Sequence, residues 1–158
     1  MLASIQRFLA SGFGSGYSPI APGTVGSVVA SVLIFFGFKV SGIPFLIVFT
    51  VLSVVASFWT VSAAEAAWGK DPGAMVVDEW AGMGVSLWAW LWTVGLNGEE
   101  LSIIHLLVGF VFFRLFDIWK PLGVNSMQKL SGGFGILLDD ILAGLYAGIG
   151  WYIIFKIW

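Results

Sequence analysis

The sequence predicts an all-α fold: a polytopic integral membrane helical bundle of about four to five transmembrane helices plus an N-terminal interfacial helix, in a single domain over residues 1–158. Three observations carry this. Hydrophobic residues make up 59% of the chain and charged residues 10%, with a mean hydropathy of +0.98, and a soluble domain cannot cover its surface with so few charges. The charges are also segregated, leaving uncharged stretches at 40–64, 80–98, 101–113 and 141–155. Finally, the alternating pattern of a membrane barrel is absent and open sheet edges cannot face lipid, so helices remain.

Taken in order, "MLASIQRFLASGFG" predicts a short helix in the membrane interface with Arg7 among the headgroups; a frayed terminus is the competing reading. No cleavable signal peptide is expected, because Gly12, Gly14 and Gly16 break the apolar part of residues 1–16 and Arg7 sits inside it. Membrane helices are predicted near 24–40, 43–64, 80–96, 101–119 and 138–157. The stretch 40–64 would reach roughly 37 Å, enough for a hydrocarbon core of about 30 Å. The segment "LNGEE" (96–100) predicts a tight turn. Most tryptophans read as interface anchors and packing.

Orientation follows from Lys and Arg. With five helices and a cytoplasmic N-terminus, Arg7, Lys70, Arg114, Lys120 and Lys129 fall inside and Lys39 and Lys156 outside, as the positive-inside rule requires. The same arrangement gathers three Gly-, Pro- and acid-rich stretches on the cytoplasmic side: 14–27, 70–79 and 120–140.

Composition excludes several functions. A net charge of −2 without a basic stripe argues against a nucleic-acid partner. The chain has no cysteine, so disulfides, thiolate ligands and cysteine nucleophiles are out. The one histidine, His105, is predicted at the outer end of the fourth helix, as a packing or interfacial group.

What remains are carboxylates. Glu65, Asp71, Asp78, Glu79, Asp139 and Asp140 lie at or near cytoplasmic helix ends, and Asp117 on the last turn of the fourth helix. Some complement helix dipoles, but next to apolar segments unpaired carboxylates cost several kcal/mol or more. Clustered carboxylates call for a cation. Oxygen ligands alone point to a hard ion, Mg²⁺ first and Mn²⁺ or Ca²⁺ next, and Mg²⁺ habitually brings a phosphate-bearing substrate. In "APGTVGS" (21–27), Gly23 precedes Thr24, a candidate N-cap. In "SGGFG" (131–135), Gly132 and Gly133 lead into the last helix. Both predict backbone N–H groups for an anion. In "FRLFDIWKP" (113–121), Arg114, Asp117 and Lys120 share a helical face. An internal salt-bridge ladder is one reading. The functional one puts Asp117 in the metal shell, with Arg114 and Lys120 on phosphate oxygens.

Together these motifs resemble the phosphatidylglycerophosphatase A family, over nearly the whole chain from "GSGYSPIAPGTVGS" through "VVDEWAGM" and "FRLFDIWKP" to "GGFGILLDDILAG". By that resemblance Asp78 and Glu79 match the family's acidic pair, Asp117 and Lys120 its FD-x-x-KP element, and Asp139 with Asp140 its GG-x-G-x-x-x-DD element. The resemblance implies a multi-pass protein of the bacterial inner membrane. It implies a Mg²⁺-dependent phosphatase that converts phosphatidylglycerophosphate, its lipid partner in the bilayer, to phosphatidylglycerol. One departure is "KPLGVN", where the family commonly has a second proline. The rival readings are a CDP-alcohol phosphotransferase, whose DG and AR signature is missing, and a small metal or ion transporter, which needs acids near the midplane and often repeated halves.

The topology is testable because single cysteines meet no background. Cysteines replacing Gly73 and Gly123 should resist an impermeant maleimide in intact cells and react once the membrane is opened. One replacing Asn97 should react in intact cells.

Overall fold

The computed structural model describes residues 1–70, 72–93, 100–121, 123–127 and 133–157. Among them the regular elements are helical: α1 (Leu2–Ala10), a 3-10 turn (Ser15–Tyr17), α2 (Pro22–Ser41), α3 (Ile43–Trp68), α4 (Val77–Ser86), α5 (Trp88–Thr93), α6 (Ile103–Trp119), α7 (Val124–Met127) and α8 (Gly133–Ile157). The predicted all-α membrane bundle is therefore what the chain forms. Three helices are long and apolar enough to cross a membrane: α2, α3 and residues 134–155 of α8. The seventeen residues of α6 rise only about 25 Å.

Local chemistry sets the ends. Pro22 opens α2 at its first turn, where the missing N–H costs nothing. Gly42 closes α2 at φ +64° and donates its N–H to the Phe38 carbonyl at 2.7 Å. Pro44 then stands in the first turn of α3, so two long helices meet across one residue. Gly69, at φ +90°, ends α3.

Two predicted boundaries move. The single helix expected at 80–96 is two, α4 and α5, hinged at Leu87. Gly82, Gly84 and Ser86 are weak helix formers, and the Ser86 hydroxyl donates to the Met83 carbonyl at 2.7 Å, competing with the helix's own ladder. Residues 94–96, and the 96–99 part of the expected turn, lie outside the described residues. The last helix begins at Gly133 rather than 138. In apolar surroundings backbone groups must be satisfied within the segment, so the helix runs through its glycines.

Every residue of α4 is buried, which makes it the axis of the bundle. Its glycines permit this. A Cβ on Gly144 of α8 would lie 2.5 Å from the Gly82 carbonyl oxygen, and one on Gly84 would run into Thr50 of α3. Small residues let helix backbones approach where lipid offers no hydrophobic drive. Trp80 fills the opposite side, stacked on Phe49 at 5.8 Å and edge-on to Phe13 at 5.2 Å. The Val76 N–H donates to the Ala10 carbonyl at 2.8 Å, tying α1 to the start of α4.

The two ends of the bundle differ. At one, Lys39 pairs with Glu100 at 3.1 Å, and His105 caps α6 reciprocally with Ser102, its ring near Trp90 at 5.5 Å and Trp151 at 5.8 Å. The histidine predicted as a packing or interfacial group thus packs against two tryptophans and also caps its helix. The acidic motifs lie at the other end.

Gly144→Val should destabilise the fold by about 1–3 kcal/mol or more through overpacking, read as a lowered thermal midpoint in detergent. Gly73→Ala, where a Cβ meets nothing within 4 Å, should leave that midpoint unchanged.

Candidate functional site

At the acidic end, the N-terminus of α2, residues 72–75, the first turn of α4, the last turn of α6 and the second turn of α8 enclose a cavity of about 340 Å³. The three stretches predicted to share one face thereby meet. Asp78, Glu79, Asp117, Asp139 and Asp140 all line it, with Arg114, Lys120 and Gly23. All five carboxylates are at most 9% exposed, where an uncompensated charge is costly.

Glu79 is the most engaged of them. Its Oε2 accepts from Ser27 Oγ at 3.0 Å and forms an ion pair with Arg114 Nη1. Gly23 makes room for it, since a Cβ there would strike Glu79 Oε1. Arg114 Nη1 also pairs with Asp117 Oδ2 at 2.9 Å, one turn along α6. The Arg114 Nε is buried without a hydrogen-bond partner among the described residues.

Lys120 forms a second cation position. Pro121 disfavours helical backbone in the residue before it, and Lys120 caps α6 at φ 47°, ψ 50°. For a non-glycine residue that costs of order 1–3 kcal/mol. The bend sends Nζ to Asp139 Oδ2 at 2.5 Å, with Asp117 Oδ1 at 3.8 Å. Burial works against the ammonium, but the hydrogen bond and charge of Asp139, with Asp117 and Asp140 behind, outweigh it and hold Lys120 above its ordinary value. Asp78 Oδ1 accepts the Glu79 N–H at 3.0 Å, and Asp139 Oδ1 the Asp140 N–H at 3.1 Å.

Three of the five carboxylates converge. Glu79, Asp117 and Asp140 each offer an oxygen, and these atoms lie within 4.8 Å of one another. The donor set fits a hard divalent cation: it is all oxygen and comes from three separate helices. Charge fits as well. Five carboxylates face two cationic side chains in the cavity, so a divalent ion would offset most of the remaining negative charge if all five are ionised.

Several expectations are placed differently. Thr24 is not the cap of α2; Ala21 is, with a left-handed backbone and no side-chain cap bond, because Pro22 already takes the first helical position. Ala21, Pro22 and Gly23 line the cavity and Thr24 does not. Gly133 is the first residue of α8, and Gly132 lies outside the described residues, as does Asp71. Asp139 and Asp140 stand in the second turn of α8 rather than at a loop. Glu65 is not among the cavity's lining residues. Sequence reasoning missed Ser27. Its signal was the i, i+4 spacing from Gly23, which puts a buried hydroxyl on the face where the acids gather.

The fold and this centre define a helical membrane protein with a buried, carboxylate-rich cavity at one end of its bundle, where three acids could hold a metal ion. The chain belongs to the phosphatidylglycerophosphatase A family, whose model matches residues 8–155. Among curated proteins it is 36% identical over 145 residues to phosphatidylglycerophosphatase A of Haemophilus influenzae, covering 90% of this chain and 84% of that one. It is 35% identical over 157 residues to phosphatidylglycerophosphatase A of Escherichia coli, covering 93% and 82%. A putative phosphatidylinositol-3-phosphatase of Bacteroides thetaiotaomicron is 37% identical over 151 residues, covering 89% and 87%. No solved structure matches the chain.

Arg114→Met should destabilise the protein by about 3–5 kcal/mol, because it strands Glu79 and Asp117. Adding Glu79→Gln should recover part of that loss, seen as a thermal midpoint above that of the single variant.

Proposed function

We propose that this protein is a Mg²⁺-dependent lipid phosphatase of the bacterial inner membrane. It hydrolyses the terminal phosphomonoester of phosphatidylglycerophosphate to give phosphatidylglycerol and phosphate, with its site toward the cytoplasm. The observation that carries this is the convergence of Glu79, Asp117 and Asp140 beside Arg114 and Lys120, at the end of a membrane bundle where headgroups lie. Family membership supports the substrate class. The acids gather at one end of the helices, which favours an enzyme of the interface over a transporter with acids at its midplane.

Glu79, Asp117 and Asp140 would hold the cation. When bound, it supplies Lewis-acid polarisation of the phosphoryl group and acidifies a water. Arg114 and Lys120, both lining the cavity, would set their positive charge against the phosphoryl oxygens as negative charge grows there. The first-turn N–H of Gly23 in α2 would add a donor at the end of a helix dipole. Asp78 has Oδ1 occupied by the Glu79 N–H, leaving Oδ2 to take the proton of the attacking water. Asp139 fixes Lys120 in place.

A second substrate, a phosphoinositide monophosphate, is favoured by the name of the Bacteroides relative. Both lipids carry the phosphomonoester that this centre would recognise.

Purified protein should release phosphate from phosphatidylglycerophosphate with Mg²⁺, lose that activity in EDTA, and regain it when Mg²⁺ is restored. Parallel assays with phosphatidylinositol 3-phosphate rank the two substrates. Asp140→Asn and Glu79→Gln should each lower turnover about 100-fold or more at retained folded yield. Turnover that is wild-type in both, or indifferent to EDTA, would refute the metal assignment.

A further inference from the structure

A phosphomonoester lipid has to enter from the bilayer with its acyl chains still in hydrocarbon. Three apolar clefts open on the sides of the bundle. One, lined by Phe13, Phe49 and Trp80 among others, takes Val77 and Trp80 from α4, whereas Asp78 and Glu79 point from the other side of that helix at its 100° per-residue step. A second lies at the far half of α4, α5 and α8, around Trp88, Trp92 and Tyr152.

The third is built differently. It is a groove of about 320 Å³ between α2 and α6, the two helices that also wall the polar cavity with Gly23 and with Arg114 and Asp117. On α6 the groove residues Ile103, Leu107 and Phe110 continue the stripe of Arg114 at i−11, i−7 and i−4, one face of a helix. On α2, Ser31 lies one turn beyond Ser27 and donates to its carbonyl at 2.8 Å, and Ser27 holds Glu79. Polar cavity and apolar groove thus lie end to end along the same two helices, with Arg114 at the junction. A Cβ on Gly23 would come 3.3 Å from Arg114 Nη2, so the Arg114 side chain reaches from α6 to the start of α2.

The groove opens sideways. Val28, Val32, Phe36, Ile103 and Leu107 are 45%, 49%, 64%, 60% and 55% exposed. From Val28 to Phe36 it rises about 12 Å, close to the roughly 15 Å depth of one leaflet.

We infer that this α2–α6 groove seats an acyl chain of the phosphomonoester lipid whose phosphate lies among Glu79, Asp117 and Asp140. The inference rests on the lipid phosphatase reading and deepens it. An apolar slot joined to a few convergent polar groups is the form of a site for an amphiphile. The occupant is specific to the phosphomonoester because Arg114 and Lys120 stand at one end of the slot, while bulk lipid meets only its open side.

The test separates the two readings. Protein in phosphatidylcholine vesicles is photolabelled with phosphatidic acid or with phosphatidylcholine, each carrying a photoactivatable acyl chain, and the adducts are mapped. Phosphatidic acid should label 28–36 and 103–110 in excess over phosphatidylcholine. Val32→Trp and Leu107→Trp, one from each wall, should remove that excess. Both variants should lower kcat/KM for long-chain phosphatidylglycerophosphate about tenfold or more, and leave its water-soluble dibutyryl analogue within about twofold. Excess labelling that falls elsewhere, that survives both tryptophans, or that is equal for the two probes would overturn the groove, while phosphate release would still uphold the phosphatase. Groove labelling by a wild-type protein that releases no phosphate from any lipid would overturn the phosphatase and leave the groove as a lipid site. Shielding from both probes, with cross-links between copies, would assign the face to a second copy and overturn the proposal.

Discussion

Arg114 stands between two buried carboxylates, and for one of them, Glu79, it is the only ionic partner among the described residues. Glu79 comes from α4 and Asp117 from α6 itself, and the Ser27 hydroxyl of α2 lies 3.5 Å from Nη1. One guanidinium therefore touches three helices. A buried pair of this kind adds little net stability over a well-packed apolar contact. Its consequence is positional. Sliding α4 by one residue would part Glu79 from Arg114 and leave a buried carboxylate without its counter-charge, an arrangement that costs several kcal/mol. The register of α2, α4 and α6 is fixed at the end where the acids gather.

The rest of the bundle is arranged so that α4 can carry charge at its start while buried along its whole length. Glycines at 82, 84 and 144 bring the neighbouring backbones in, and bulky Trp80, Phe113 and Trp90 fill what the glycines leave. Lys120 repeats the theme of a cation placed by backbone geometry. The proline after it ends α6, and the left-handed turn sends the side chain back to α8. The far end holds an exposed ion pair and a capping histidine, groups with structural partners.

Much of this was legible in the sequence, and the reasons are specific. Segregated charge located the helices, because hydrocarbon tolerates few exceptions. That the stretches 14–27, 70–79 and 120–140 share a side was expected from counting crossings, since alternate loops must lie on the same side. Division of labour among the acids was not legible. Asp139 and Asp140 are neighbours in sequence but point to different partners, Lys120 and the carboxylate triad, because successive helical residues diverge by about 100°. The break at Leu87 was hidden by an unbroken apolar run, and the early start of α8 by glycines that read as a loop. Ser27 was invisible as a partner of Glu79 because nothing local reports a contact across 52 residues.

The close approach of α4 and α8 has a reach beyond packing. Gly82 sits where a Cβ would lie 2.7 Å from the Asp140 carbonyl oxygen, one turn below Glu79. Two of the three converging oxygens thus hang from the very pair of helices that the glycines press together. Their separation is an interhelical distance, held by backbone contact rather than by flexible loops. The clamp works as a caliper: the gap between the Glu79 and Asp140 carboxylates is set by how tightly two helices are held, and a methyl group added at Gly82 would widen it by pushing on the Asp140 backbone rather than on its carboxylate.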